Sequence, residues 1–226
     1  AGAELASSRR VAALVTAPVS KEALHLAGER VEGQSELLVR WDGSPQAQMV
    51  AVAGDLRAML LTRHMPLRAA LDAITTEGVL EHLELLDRTL RGWGFERPRV
   101  ALAGLNPHAG EGGILGGEER LLLEPAVAEA RRRGVDASGP HSPDTVFVRA
   151  ARGAFDGVLA LYHDQAFIPV KLAAPDTGLT VLAGLSYLRV SPAHGTAFDI
   201  AGTGKASPAS PIAAIEMAAQ MAARRG

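Results

Sequence analysis

Arg99-Val-Ala-Leu-Ala-Gly-Leu-Asn-Pro-His-Ala-Gly-Glu-Gly-Gly113 is an aliphatic run that ends abruptly in a loop of Asn, Pro, His and Gly. The run Arg99–Leu105 is short and bounded by turn formers, which predicts a buried strand. In the loop, glycines permit positive φ and let a ligand approach the backbone closely. The stretch that follows, Glu118–Arg133, has acidic residues in its first turn, three arginines in its last and Gly134 behind them. That order complements a helix dipole and supplies a C-cap, so a helix is predicted there. Strand, ligand-ready loop and helix make one βα unit.

Outward from this unit the same alternation repeats. Val11–Thr16, Met49–Ala53, Ala58–Thr62, Gly157–His163 and Thr180–Gly184 are further strand candidates. Apolar residues at 80, 83, 86 and 90 have helical spacing and stop at Gly92 and Gly94. Pro211–Arg225 opens with proline and carries Ile212, Ile215 and Ala219 on one stripe, a second helical pattern. Trp41–Ala47 and Ala173–Gly178 are predicted loops. The expected fold class is α/β, a mostly parallel or mixed sheet with flanking helices.

Composition narrows the function. The 226 residues are 47% hydrophobic and only 4% aromatic, enough aliphatic material for one or two domains. A net charge of -2 without a basic stripe argues against nucleic acid and anionic membranes as partners. The lack of cysteine removes thiolate ligands, so any metal must be held by His, Asp or Glu. With no signal pattern, and no apolar run near the roughly 20 residues that span a bilayer, a soluble, cytoplasmic protein is expected. The chain starts Ala1-Gly-Ala-Glu4 and reaches a strand candidate almost at once, as a processed or truncated chain would.

Three of the seven histidines share one kind of position. His64 follows Ala58–Thr62, His108 follows Arg99–Leu105 and His163 ends the run from Gly157, so each lies at the carboxyl end of a strand candidate. Ligands bind at that edge of α/β sheets, and three imidazoles leave open positions on a divalent ion. The three are far apart in sequence, so spacing alone does not show that they converge. His25 and His82 fall in helical patterns and read as surface residues, and His141 lies in a proline-bounded loop.

Two more loops carry chemistry. In His163-Asp-Gln-Ala-Phe-Ile-Pro-Val-Lys171, Asp164 is suited to orienting a ligand or taking a proton and Lys171 to holding an anion. His194-Gly-Thr-Ala-Phe-Asp-Ile-Ala-Gly-Thr-Gly204 combines accessible glycines with an acid, as an adenosine-ribose pocket requires, without being a GxGxxG fingerprint.

Val15-Thr-Ala-Pro-Val-Ser-Lys21, Leu105–Gly113, Ser142-Pro-Asp-Thr145, Tyr162-His-Asp-Gln165 and His194–Gly204 together resemble the NAD-dependent 4-hydroxythreonine-4-phosphate dehydrogenases of pyridoxal phosphate biosynthesis. The last stretch also resembles the adenine loop of isocitrate and isopropylmalate dehydrogenases, which implies their two-domain fold. The resemblance implies that His64, His108 and His163 bind a divalent metal (Zn, Mg or Co) and that Lys171 and Arg189 bind substrate across a homodimer interface. Gln34, Ser35 and Thr180 fall at further substrate positions. His194, Gly195, Thr196, Asp199 and Gly202 are the expected NAD contacts, and Lys171, Asp164 and Asp144 the expected catalytic set. The implied reaction oxidises 4-phosphohydroxy-L-threonine to 2-amino-3-oxo-4-phosphohydroxybutanoate, which then loses carbon dioxide.

Three departures from the family pattern qualify these expectations. Gly33-Gln-Ser-Glu36 stands where the family has Gly-His-Thr-Glu, and Thr180 where it has Asn. Such changes point to altered substrate choice, and a phosphorylated four-carbon sugar acid is an alternative substrate. Family members also carry an N-terminal segment with a Gly-Asp-Pro-Ala-Gly-Ile-Gly-Pro motif that this sequence lacks. The expected organisation is therefore a metal-binding, dimerising α/β domain over 1–190 and a segment of an incomplete second domain over 191–226. A shortened, non-catalytic metal-binding dimer is the competing expectation.

Overall fold

A computed structural model of the chain describes residues 1–224. In chain order the elements are α1 (Gly2–Ser7), β1 (Leu14–Val15), α2 (Lys21–Leu26), α3 (Gln34–Asp42), β2 (Gln48–Ala53), β3 (Leu56–Leu60), α4 (Leu67–Asp72), α5 (Thr76–Gly92) and β4 (Val100–Ala103). There follow α6 (Glu124–Arg132), β5 (Ala137–His141), α7 (Pro143–Ala151), β6 (Gly157–Ala160), α8 (His163–Ala173), β7 (Leu179–Ala183), β8 (Arg189–Pro192) and α9 (Ala209–Ala223). All eight strands join one sheet in the order β1-β8-β7-β2-β3-β6-β4-β5. The run β3-β6-β4-β5 is parallel, whereas β2 pairs antiparallel with both β3 and β7, and β7 with β8.

Alternation along the strands sorts side chains onto two faces. Val50, Val52, Met59, Leu102 and Leu159 turn to one face, where Leu83, Leu86 and Leu90 of α5 cover them together with α6 and α9. Ala51, Ala58, Ala101, Ala103 and Ala160 turn to the other, packed by Val146 and Phe147 of α7 and by Ala166, Phe167 and Val170 of α8. The small residues on this second face leave room for those two helices to lie close to the sheet. The expected α/β class is what the sheet and its flanking helices form.

Several boundaries differ from expectation. The strand expected at Val11–Thr16 shrinks to Leu14–Val15, and the run from Gly157 stops at Ala160, so that His163 opens α8 instead of ending a strand. Trp41 and Asp42 belong to α3, not to a loop, and His141 ends β5. The predicted helix over Glu118–Arg133 begins with a π-helical turn, Glu119–Leu123, before α6. The expected C-terminal helix is α9, its final Arg225 lying outside the described residues. The division expected at 190 falls within β8, and α9 packs on the β8, β1 and β7 end of the same sheet. No helix among the described residues is long and apolar enough to cross a membrane.

Candidate active site

Because β3, β6 and β4 are neighbours and run parallel, their carboxyl ends form one stretch of the sheet edge. Strands in a sheet lie about 4.8 Å apart, and the first two ends bring His64 and His163 together with ring centroids 5.3 Å apart. His163 sits at the start of α8, where its ring stacks on Phe167 one turn later, 4.5 Å away. Lys171, a further turn along the same face, has Nζ 5.9 Å from the Phe167 ring. Helical spacing of four residues thus strings His163, Phe167 and Lys171 along one wall.

That wall faces a cleft of about 240 Å³ whose other side is made by Gln34, Ser35, Glu36, Thr180 and Arg189. Arg189 is only 3% exposed; its Nε donates to Thr16 Oγ1 at 3.1 Å and its Nη2 to Gln34 Oε1 at 2.9 Å. Burial pulls its pKa down to about 10, which leaves it charged at neutral pH. Neither of its hydrogen-bonded partners carries a negative charge, and the Glu36 carboxylate acts on it only through space, so the guanidinium is left with N–H groups and positive charge for an anion. The Thr180 hydroxyl, also buried, donates to the Ser191 carbonyl at 3.4 Å.

Both cleft histidines turn Nδ1 toward a carboxylate. His163 Nδ1 is 2.7 Å from Asp164 Oδ1, the geometry of an N–H donating to a carboxylate, and that contact leaves Nε2 free. His64 Nδ1 is 3.9 Å from Glu36 Oε1. The Glu36 carboxyl is held below its usual pKa, first by His64 and, more weakly, by Arg63, against the opposing effect of burial. Two imidazoles backed by carboxylates are the donor set that a divalent ion takes from a protein, so these residues fit a metal.

His108 does not join them. It stands exposed on a left-handed turn in which five successive residues, His108–Gly112, have φ between 44° and 79°. Non-glycine residues pay roughly 1–2 kcal/mol each for this conformation, and a buried carboxylate holds the root of the turn. Glu119 Oε1 accepts from Leu105 N at 2.9 Å and Asn106 N at 2.7 Å, while Oε2 accepts from Asn106 Nδ2 at 3.0 Å. Burial alone would raise the Glu119 pKa, but these bonds outweigh it and hold the group below its ordinary value. Among the described residues, no three His, Asp or Glu side chains of one chain gather as a metal site. Asp144 is also away from the cleft, exposed at the start of α7 and accepting from the Ser142 hydroxyl at 2.6 Å.

The glycine-rich C-terminal loop borders a second, larger groove of about 880 Å³. His194, Gly195, Thr196 and Gly202 line it; Asp199 lies in the short Phe198–Ile200 turn and is not among the lining residues. Pro18, Val19, His194 and Gly195 border both the groove and the cleft, so the two adjoin. Sequence reasoning did not single out Thr16, Lys21, Glu36 or Arg63. Three of them stand in motifs it quoted, and Arg63 adjoins His64.

Comparison with known proteins places the chain among relatives. The family model described as Pyridoxal phosphate biosynthetic protein PdxA matches residues 1–218. The chain is 45% identical to a D-threonate 4-phosphate dehydrogenase of Salmonella typhimurium, over 97% of this chain and 67% of that one. Its fold matches a crystal structure of 4-hydroxythreonine-4-phosphate dehydrogenase from Klebsiella pneumoniae with a TM-score of 0.90 at 45% identity, covering 97% of this chain and 66% of the other. The chain therefore spans about two thirds of the length of these relatives. A likeness in fold alone extends to isocitrate dehydrogenase from Methylococcus capsulatus, with a TM-score of 0.56 at 18% identity over 94% of this chain and 68% of that one.

Proposed function

Because this chain belongs to the PdxA family of pyridoxal phosphate biosynthetic proteins, we propose that it oxidises the secondary alcohol of a phosphorylated hydroxy acid, with NAD as hydride acceptor and a divalent metal ion. The observation that carries this reading is that the histidine and arginine cleft adjoins the glycine-rich groove across four shared residues. Substrate in the first and dinucleotide in the second would meet at Pro18, Val19, His194 and Gly195.

Arg189 and Lys171 supply positive charge for the phosphate and carboxylate of such a substrate. His64 and His163 would hold the ion by Nε2, and a second copy of the chain would bring His108 and Asp144 to complete the site. When bound, the ion supplies Lewis-acid polarisation of the reacting hydroxyl. Asp164 keeps the His163 ring in place, and Asp144, free of ion pairs among the described residues, is suited to taking the hydroxyl proton.

The default substrate is 4-phosphohydroxy-L-threonine. Gln34 favours a second reading. One lone pair of its Oε1 is taken by Arg189, so the amide offers a ligand two N–H donors and at most one remaining acceptor site. A 2-hydroxyl accepts from these donors, whereas an ammonium, itself all donor, can use only the remaining lone pair of Oε1. D-Threonate 4-phosphate, the substrate named for the Salmonella relative, carries that hydroxyl. The test is NADH formation by the purified protein with each compound, with and without chelator. Chelator-sensitive turnover of either is the expected result and its size ranks the two; no turnover of both with metal and NAD present would overturn the dehydrogenase reading.

A further inference from the structure

Glu36 is poorly satisfied for a carboxylate beside a cleft. Both of its oxygens are shielded from solvent and accept no hydrogen bond among the described residues, and Arg63 Nη1 beside it donates none. Glu36 Oε1 stands 3.7 Å from that nitrogen and 3.9 Å from His64 Nδ1, and the side chain is only 16% exposed. Shielding a carboxylate from water without donors costs free energy, so its retention calls for a partner that the isolated chain only approaches. The two nearest candidates are a cation, Arg63, and an imidazole N–H.

We infer that Glu36 is a positioning residue for His64: clamped by Arg63, its carboxylate takes the Nδ1 proton of His64 in a hydrogen bond and turns Nε2 toward the metal. This rests on the metal reading above. The contact must shorten by about 1 Å to reach charge-assisted hydrogen-bond length, a movement that either side chain makes by small χ rotations. His163 shows the finished arrangement, with Nδ1 already 2.7 Å from Asp164 Oδ1. Asp164 is 73% exposed, whereas Glu36 is shielded, and in the lower local dielectric its hydrogen bond is the stronger restraint. The site thus has one imidazole held from solvent and one from the interior.

Metal affinity tests this directly. The purified protein and its Glu36→Gln variant are titrated with Co²⁺, reading the dissociation constant and the visible spectrum of the bound ion, alongside the melting temperature of the metal-free proteins. Loss of the carboxylate should weaken binding by roughly 10–100-fold and alter the Co²⁺ spectrum in a variant that remains folded. Equal affinity and spectrum in the two proteins would overturn the inference while leaving the metal reading intact. Failure of the unaltered protein to bind Co²⁺ would overturn the metal reading itself, and the inference with it. A raised KM for an amino-acid substrate with unchanged metal affinity would also overturn it, assigning Glu36 to the substrate instead. If Glu36→Gln does not fold, Glu36→Asp keeps the charge and shortens its reach; it too should weaken metal binding, and unchanged affinity there would sink the idea.

Discussion

Single residues in this protein read differently once their neighbours are known. His82 lies in a helical pattern that suggested a surface position, yet it is half-buried against β2. Its Nδ1–H donates to the Gly78 carbonyl at 2.6 Å and Nε2 accepts from Gln48 Nε2 at 3.2 Å, a pattern that requires the neutral ring. Burial, outweighing the bond to Gly78, lowers its pKa from the ordinary 6.5. The unfolded chain accordingly takes a proton that the folded one resists. Stability present above pH 6.5 is lost as pH falls from there through the lowered folded value. Replacing His82 with Gln should make the acid side of a urea-stability profile shallower; an identical slope in the variant would show that this ring does not titrate as its burial implies.

At the scale of elements, the loop between β4 and α6 is built around one side chain. Gly110, at φ 79°, stands so close to Glu119 that a Cβ there would lie 2.7 Å from Oε2, and Gly104 would bring one 3.0 Å from Ala109. Glycine at these positions lets the left-handed turn fold down onto its anchor. Glu119→Ala would strand the Leu105 and Asn106 N–H groups and is expected to cost about 3 kcal/mol, measured as a lowered urea midpoint with the native m-value kept. A loss under about 0.5 kcal/mol, the ordinary size of a surface change, would mean that the turn holds itself. The same loop presents His108 to solvent, so loosening it would also loosen the proposed third ligand.

For the whole molecule, His108 and Asp144 are absent from the lining of the His64 and His163 cleft, and the proposed function therefore draws on a site shared between two copies. A twofold pair contains two identical shared sites. Mixing His64→Ala protein with His108→Ala protein should then restore activity, because in the hybrid one site receives His64 and His163 from one subunit and His108 from the other. Random exchange makes half the pairs hybrid with one intact site in each, about a quarter of full activity. Mixtures as inactive as the separate variants, with exchange verified by mass, would place all three ligands in one chain and refute the shared site.

Local signals were legible in the sequence because they depend on neighbours along the chain. The βα alternation, the α5 stripe, the glycine loop that tolerates positive φ, and the strand-end position of three histidines all follow from periodicity and turn chemistry. Where those signals are weak, the reading failed. β1 is two residues long, and α8 carries Pro169 in its interior, which reads as a break although packing of Ala166, Phe167 and Val170 on the sheet keeps it helical. What only the tertiary structure decided is which distant residues meet. The order β3-β6-β4 sets His64 beside His163, Arg189 reaches Gln34 across 155 positions, and the left-handed turn carries His108 away from both. Strand order is set by burial of two faces at once and by non-local pairing, and no local pattern of residues encodes it.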